Sequence, residues 1–517
     1  MSPSPHHVAV IGGGLTGLSA AYHLARRYPD VSLTVYEKAP RFGGWVKSER
    51  VDVEDELGNK ASVLLEAAPR TLRPNAQSVL EMINLLDLRE QVLMTSKSSP
   101  AARSRFLSLP DEDGLSVLPS SLWSLFTTRL GLLILRAVFR EVFTGANRPP
   151  DITDESVDSF FTRRFGADFA RVLGSALVHG IYATDSRQLS IRAAFPSMWE
   201  AEERGAGSVI MGELGPRAWL SVSRRSREAK AKEDAEAWEL GKDTAFEKRL
   251  KGAALISFED GMETLIDRLL TALRSMPNVM LKPECNIASL GRDGSTFKLH
   301  TAEEVYPHTH VVSALPLPTL QAILAPELQL PHLTANPLQS VAVMNLVFST
   351  SGSSQSIHPA GFGFLIPRPL GGYPTALTVA NPGMLGVVFD TSSLAAQDRF
   401  HSSTATPEKP SFVKLTAMIG GPYGVDSKQP PLLDAVLAQI SGRLGTTIPH
   451  PVLSKLHVHV GGIPTYTVGH LERMREMHDV ARQRSGGRLF VIGAGVGGVS
   501  VGDCIKAGRD VARRIVF

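Results

Sequence analysis

Cysteine is almost absent. Cys285 and Cys504 are the only two among 517 residues, so neither a disulfide framework nor a cysteine-rich metal site can be built, and the usage fits a reducing compartment. Histidine does not fill the gap: His6-His7 and His457-Val458-His459 have no partners at ligand spacing, and no metal site is expected. An excess of one charge is also missing. With 54 basic and 51 acidic residues the net charge is +3, which gives no field that would make nucleic acid the natural partner. No apolar run reaches the roughly 18 residues of a spanning helix. The start, MSPSPHHVAVIGGG, has neither the layout of a secretory signal nor the Arg/Ser-rich run of a transit peptide. No cleavable presequence is evident, so any organelle address is expected to be internal. There is no internal repeat. What remains is a chain long enough for two or three domains at about 100–200 residues each, with 43% hydrophobic residues to fill their cores.

The two ends of the chain read as one site. His7–Ile11 (HVAVI) is a short apolar run suited to a strand buried on both faces. Gly12-Gly13-Gly14-Leu15-Thr16-Gly17 follows and matches G-x-G-x-x-G, ahead of the helical pattern LSAAYHLARRY. Gly12 suits the tight turn, Gly14 a close approach to a pyrophosphate, and Gly17 close packing of helix on strand. The helix N-terminus would present free amides to the phosphates. A second strand, VSLTVYE, ends at Glu37, 20 residues after Gly17, where a carboxylate accepts hydrogen bonds from a ribose diol.

Beyond Glu37 the run Lys38-Ala39-Pro40-Arg41-Phe42-Gly43-Gly44-Trp45 starts no crossover helix. It resembles the E-K-x-x-R-x-G-G signature of the glutathione-reductase-like FAD oxidases, in which Arg41, Gly43 and Gly44 would approach the diphosphate and ribityl chain. Near the other end, RLFVIGAG (488–495) is again a strand entering glycines, followed by VGGVSVGDC and a last helix, IKAGRDVARRIV. Too little chain follows for another nucleotide-binding half. This segment is expected to close back on the first domain and offer backbone amides to the flavin's pyrimidine edge, where reduced flavin carries negative charge.

Further motifs make the resemblance more specific. LEAAPRTLRP (65–74), HGIYATDSRQLSIRAAFPSMW (179–199), GFGFLIP (361–367), LGVVFDT (385–391) and GVSVGDCIKAGR (498–509) are together similar to the oxygen-dependent protoporphyrinogen oxidases of haem synthesis, of the eukaryotic, fungal-type mitochondrial kind. Two positions depart from that pattern: Ala68 and Thr184 stand where the family has glycine. The resemblance implies FAD contacts at Gly12, Gly13, Gly14, Leu15, Thr16, Gly17, Glu37, Lys38, Trp45, Ala68, Pro69, Arg70, Thr71, Ala494, Val499, Ser500 and Val501. It also implies an adenine-side backbone contact at Cys285, which by itself reads equally as a small buried hydrophobe. The implied substrate is protoporphyrinogen IX. Arg105 would pair with a propionate, since a guanidinium binds a carboxylate bidentately. Leu365 and Phe389 would sandwich pyrrole rings, Met418 would form another wall, and Gly180 would offer a carbonyl to a pyrrole N–H. On residues alone, Leu365, Phe389 and Met418 read as ordinary core strand positions and Arg105 as an exposed cation. Six electrons would pass to FAD in three rounds, each reoxidised by oxygen with release of hydrogen peroxide. No protein base is expected, because the pyrrole nitrogens supply the electron push.

The expected architecture is α/β with an added helical part. It comprises a discontinuous Rossmann FAD domain (1–90, 252–318, 450–517), a mainly helical membrane-binding and substrate-lining domain (91–251) and an antiparallel-sheet substrate domain (319–449). The 122–143 stretch, LWSLFTTRLGLLILRAVFREVF, is broken by Arg129, Arg136 and Arg140. It reads either as a segment lying at a membrane interface with snorkelling arginines or as a buried helical hairpin. With the resemblance, the first reading and a peripheral place on the inner mitochondrial membrane are expected, with ferrochelatase and a second copy of the chain as further partners. The charged run at 223–252 reads as a solvated helix and loop, and 399–410 as a loop. Two rivals share the frame: an FAD-dependent amine oxidase, and a non-enzymatic prenyl-protein carrier that has lost FAD.

Overall fold

The computed structural model describes residues 6–109, 114–120, 122–214, 244–350, 356–374, 381–400, 411–426, 428 and 430–517. Most of the charged run and 401–410 lie outside them. The first strand, His7–Ile11, is the centre of a five-stranded parallel sheet. The order across it is Leu489–Val491, His310–Ser313, His7–Ile11, Ser32–Tyr36, Val279–Lys282. Val8, Ala9 and Val10 are fully buried, as a parallel sheet covered on both faces requires. The helix Leu15–Arg27 covers one face, and the last helix, Val501–Arg514, lies across it. A Cβ at Gly508 would sit 2.5 Å from the Ala20 amide nitrogen, so only glycine lets these helices come so close. Ser19 Oγ donates to the Ile505 carbonyl across the same contact at 3.0 Å. A buried ion pair, Arg509–Glu81 at 3.0 Å, ties the last helix to Gln77–Leu85.

The second sheet has seven strands in the order Leu453–Pro464, Leu338–Ser349, Phe412–Gly420, Met384–Phe389, Gly363–Leu365, Phe106–Leu107, Ser116–Val117. It is not wholly antiparallel, because Gly363–Leu365 pairs in parallel with Phe106–Leu107. It also crosses the expected segmentation. Leu453–Pro464 belongs to it and not to the cofactor domain, and two short strands come from the stretch expected to be helical. One face buries Phe364, Phe389, Leu415, Ala417 and Ile419 with Val436 and Ile440 of the helix Leu433–Leu444. The other face brings Leu385 and Met418 together with Ala183. A hairpin, Ser48–Glu54 with Lys60–Glu66, carries the chain from the cofactor sheet towards this one.

The 122–143 stretch forms two helices, Leu122–Thr127 and Arg129–Phe143. Thr128 caps the second, accepting from the Gly131 amide at 3.0 Å. The pair is not a buried hairpin: Trp123 is 77% exposed and Phe143 80%, and Phe126, Leu132 and Phe139 also face outward. Among the described residues no helix is long and apolar enough to cross a membrane. Further on, a π-helical turn, Ala170–Gly174, runs straight into the helix Ser175–Tyr182.

Candidate active site

The cofactor cradle begins at the glycine turn. Gly12 takes φ +104°, and a Cβ at Gly17 would lie 1.9 Å from the Gly12 carbonyl oxygen. At Gly14 the nearest atom to such a Cβ is Gly44 Cα at 4.0 Å, so the backbone there faces open space. No side chain caps the helix Leu15–Arg27, which leaves its first amides available to phosphate oxygens. Glu37 does more than wait for a ribose. Its carboxylate accepts from the Gly13 amide at 2.7 Å and the Ala39 amide at 2.8 Å, so it also fixes the glycine turn. The Cys285 amide donates to the Glu37 carbonyl at 2.8 Å. Only the Cys285 carbonyl is therefore left for an adenine contact. Lys38 is exposed at the rim, and Leu15 and Thr16 are buried.

Arg41 is placed differently from expectation. Its guanidinium bonds the carbonyls of Phe42, Gly44 and Val46 and pairs with Glu263 at 3.0 Å. It shapes the Gly43-Gly44 turn instead of reaching towards a diphosphate. That turn joins the first glycine loop through Gly43 N–H to the Gly13 carbonyl at 2.8 Å. Trp45 lies against Gly462 and packs at a tilt on His459, with centroids 4.7 Å apart. His459 Nε2 in turn bonds the Ala67 carbonyl at 2.8 Å, beside Ala68, Pro69, Arg70 and Thr71.

At the far end, Ala494–Gly497 forms a single turn and Ser500 caps Val501–Arg514 in a reciprocal capping box with Asp503. The box satisfies the Ser500 and Asp503 amides. It leaves those of Val501 and Gly502, at the positive end of a long helix, free to meet negative charge. Val499 enters this turn half-buried. Behind it stand Tyr466, His470 and Asn336, which sequence reading did not single out. The motifs quoted for the resemblance stop short of them. The residues present fit FAD: a glycine cradle that a Cβ would close, an uncapped helix N-terminus after it, unpaired first-turn amides at Val501 and Gly502 of the last helix, and a carboxylate at the ribose position.

The Arg70 side chain is not turned to the cofactor. It is buried and pairs with Asp390 at 2.9 Å, while Thr416 Oγ donates to the other oxygen of that carboxylate at 2.6 Å. Arg70 Nη2 also lies 4.0 Å from Met418 Sδ. The 68–71 segment is thereby strapped to the second sheet, with Met418 beside it.

Gly180 and Leu365 meet: a Cβ at Gly180 would be 3.0 Å from Leu365 Cδ1. Gly180 lies in the last turn of Ser175–Tyr182, where helix carbonyls lack partners. No hydrogen bond from the described residues reaches its oxygen, which is left open. The preceding residue, His179, bonds the Ile366 carbonyl and the Tyr373 hydroxyl, each at 2.7 Å. Burial lowers its pKa to about 4, so it is neutral, with Nδ1–H donating to Ile366 and Nε2 accepting from Tyr373. Arg105 is exposed immediately before the strand that pairs with Leu365, and no carboxylate among the described residues pairs with it.

Phe389 is a correction. It is fully buried on the core face, stacked on His358 at 4.1 Å and packed against Phe106 and Phe364, so it cannot touch a substrate on the opposite face. Phe362, three residues before Leu365, is the half-buried aromatic of this strand region. The departure at Thr184 is accommodated: its hydroxyl bonds that of Thr465 at 2.7 Å within the core. Nothing in the structure accounts for Ala68.

A family model described as flavin containing amine oxidoreductase matches residues 15–516. The chain is 30% identical to a Schizosaccharomyces pombe protein named protoporphyrinogen oxidase, over 98% of each chain. It is 30% identical to the human protein of that name, over 98% of this chain and 97% of the other. A Propionibacterium freudenreichii coproporphyrinogen III oxidase is 27% identical over 99% of this chain and 90% of its own. In fold, the chain is similar to a crystal structure of a putative protoporphyrinogen oxidase from Exiguobacterium. The TM-score is 0.73 at 20% identity, covering 99% of this chain and 98% of that one. It is also similar to reduced UDP-galactopyranose mutase, with a TM-score of 0.59 at 14% identity over 98% and 93%.

Proposed function

Because the chain belongs to the flavin-containing amine oxidoreductases and, within them, to the protoporphyrinogen oxidases, we propose that it oxidises protoporphyrinogen IX to protoporphyrin IX. The protein is an FAD enzyme. The observation that carries the substrate is full-length likeness to proteins of that name, joined to an apolar wall at the edge of an intact FAD cradle. An amine oxidase of the same frame is less well supported, since the relatives at 30% identity are named protoporphyrinogen oxidases.

When bound, FAD would supply a two-electron acceptor for hydride leaving a meso carbon, so loss of six electrons would take three rounds, with oxygen as the terminal acceptor and hydrogen peroxide as its product. The chain's own residues bind and orient. Leu365 and Met418 form apolar contact surface, the Gly180 carbonyl accepts a pyrrole N–H, and Arg105 holds a propionate at the rim. No base is required, and the nearest candidate, His179, already has both ring nitrogens engaged.

A poorly soluble macrocycle suits delivery from a lipid surface. The outward Trp123, Phe126, Phe139 and Phe143 support peripheral attachment there, on the inner mitochondrial membrane. Anaerobic mixing with protoporphyrinogen should bleach the flavin, and admitted oxygen should restore it with appearance of porphyrin fluorescence. FAD-loaded protein that does not bleach refutes the substrate. Flotation with cardiolipin-containing vesicles tests the surface, and protein left entirely at the bottom of the gradient refutes it.

A further inference from the structure

We propose that Tyr466, His470 and Asn336 are positioning residues: a buried clamp that aims the backbone of the 494–501 turn at the flavin and so sets how readily the cofactor is reduced. The proposal rests on the FAD reading above.

The clamp grips the turn at three points. The Tyr466 hydroxyl donates to the Ala494 carbonyl and accepts from the Gly498 amide at 2.9 Å, closing the turn from its first residue to its fifth. Between these, His470 Nε2 bonds the Val496 carbonyl at 2.9 Å. A carbonyl only accepts, so the proton is on Nε2 and Nδ1 accepts from the Asn336 amide at 2.8 Å. Asn336 is held from behind, its Oδ1 accepting from the Thr467 amide at 3.2 Å and Arg473 Nη2 at 3.3 Å. The Tyr466 and His470 rings stack with centroids 4.2 Å apart, and all three residues are buried. Burial keeps the histidine neutral, with its pKa lowered to about 4, so the hydrogen-bond pattern persists across the working range of pH.

The turn needs such support. It is entered at Gly493 with φ +120° and left at Gly498 with φ +140°, two residues whose backbones swing freely without an outside hold. A trans peptide places N–H opposite C=O. Drawing the Ala494 carbonyl inward therefore turns the Gly495 amide away from the clamp, while holding the Val496 carbonyl fixes the next peptide, whose Gly497 amide bonds the Gly493 carbonyl at 3.4 Å within the turn. The chain then enters the capped first turn of Val501–Arg514, where the box leaves the Val501 and Gly502 amides unpaired. Donors fixed in advance at the edge where reduced flavin accumulates charge favour reduction, whereas donors that must reorient do so less. Without the Tyr466 hydroxyl, one carbonyl and one amide lose their buried partner and the turn must rearrange to satisfy them.

The test uses purified, FAD-loaded protein carrying Tyr466→Phe, His470→Leu or His470→Gln. Phenylalanine keeps the ring stack, and glutamine can still donate to Val496. Wild-type protein that binds no FAD would refute the cofactor reading itself, before any variant is compared. With FAD bound, Tyr466→Phe and His470→Leu should slow anaerobic flavin reduction by protoporphyrinogen about tenfold or more, with a lower midpoint potential and a KM within about twofold. His470→Gln should recover most of the rate. Variants that lose flavin are reloaded with excess FAD before measurement. Reduction rate and potential equal to wild type, whether or not the melting temperature falls, would overturn the proposal.

Discussion

Arg70 lies within a motif expected to contact the flavin, yet its guanidinium is paired with Asp390, and the two roles give opposite results on substitution. Both side chains are under a tenth exposed and 2.9 Å apart, so Arg70→Ala leaves a buried carboxylate with only the Thr416 hydroxyl for support. Breaking a buried pair from one side costs about 3–5 kcal/mol, a large part of a total stability of roughly 5–15 kcal/mol. Asp390→Ala should cost a similar amount by stranding the cation. The double variant should cost much less than the sum, with a coupling of about 2 kcal/mol. Urea unfolding followed by tryptophan fluorescence, run on FAD-loaded and FAD-free protein, gives all four corners of the cycle. The strut predicts the same coupling with and without FAD. Single effects that add to within about 0.5 kcal/mol, or an Arg70→Ala protein of unchanged stability that has lost its flavin, would refute it and return Arg70 to the cofactor.

Gly17→Ala would place a Cβ 1.9 Å from a backbone oxygen that has no flexible end to move. The purified protein should be colourless, and a normal flavin spectrum would contradict the close packing. Arg105→Ala should raise the KM for protoporphyrinogen while FAD content stays near normal, and an unchanged KM removes Arg105 from the site. Acid should destabilise the fold. His179, His308, His310 and His470 are each lowered to about 4 by burial, and His23 to about 3, so the unfolded chain takes protons first and stability drains away as pH falls from the ordinary histidine value towards 4. Glu66, raised to about 7 by burial, works the other way below that pH but is one group against five. At pH 5 each histidine costs about 2 kcal/mol, and unfolding should take up about four protons net. Urea midpoints measured from pH 7.5 to 5 check this, and a midpoint that holds or rises contradicts the sign.

The cofactor half was legible because it is built by backbone over short spans. HVAVI followed by glycines, a helix and Glu37 needs only local information, and its strand does lie at the centre of a parallel sheet. Side chains beside those motifs were harder to place. Arg41 and Arg70 sit among glycines and flavin-like signatures, but their partners, Glu263 and Asp390, are far away in sequence and no local pattern points to them. Phe389 failed for a different reason. Strict alternation would put Leu385 and Phe389 on one face, but the register slips between Met384 and Gly386. After the slip Phe389 faces the core, while Leu385 stays with Met418. One bulge of this kind moves every later side chain to the other face, and composition carries no mark of it.

The 122–143 segment could not be settled by composition because it is amphipathic in the inverted sense. In Arg129–Phe143 the inward face is organised around a charge. Glu141 is fully buried against Arg164 at 2.7 Å and also accepts from the Val209 amide and the Ser208 hydroxyl. On a helix, positions 130, 137 and 141 share one face, and 132, 139 and 143 lie roughly half a turn away. Anchoring Glu141 with Leu130 and Ala137 inward therefore drives Leu132, Phe139 and Phe143 outward. An isolated helix would bury its phenylalanines and hydrate its glutamate. The ion pair, reinforced by two further hydrogen bonds, reverses that preference and holds an apolar face open on the surface. A face kept outward at the cost of burying a carboxylate, more than the count of hydrophobic residues, is the observation on which the proposed attachment to a lipid surface rests.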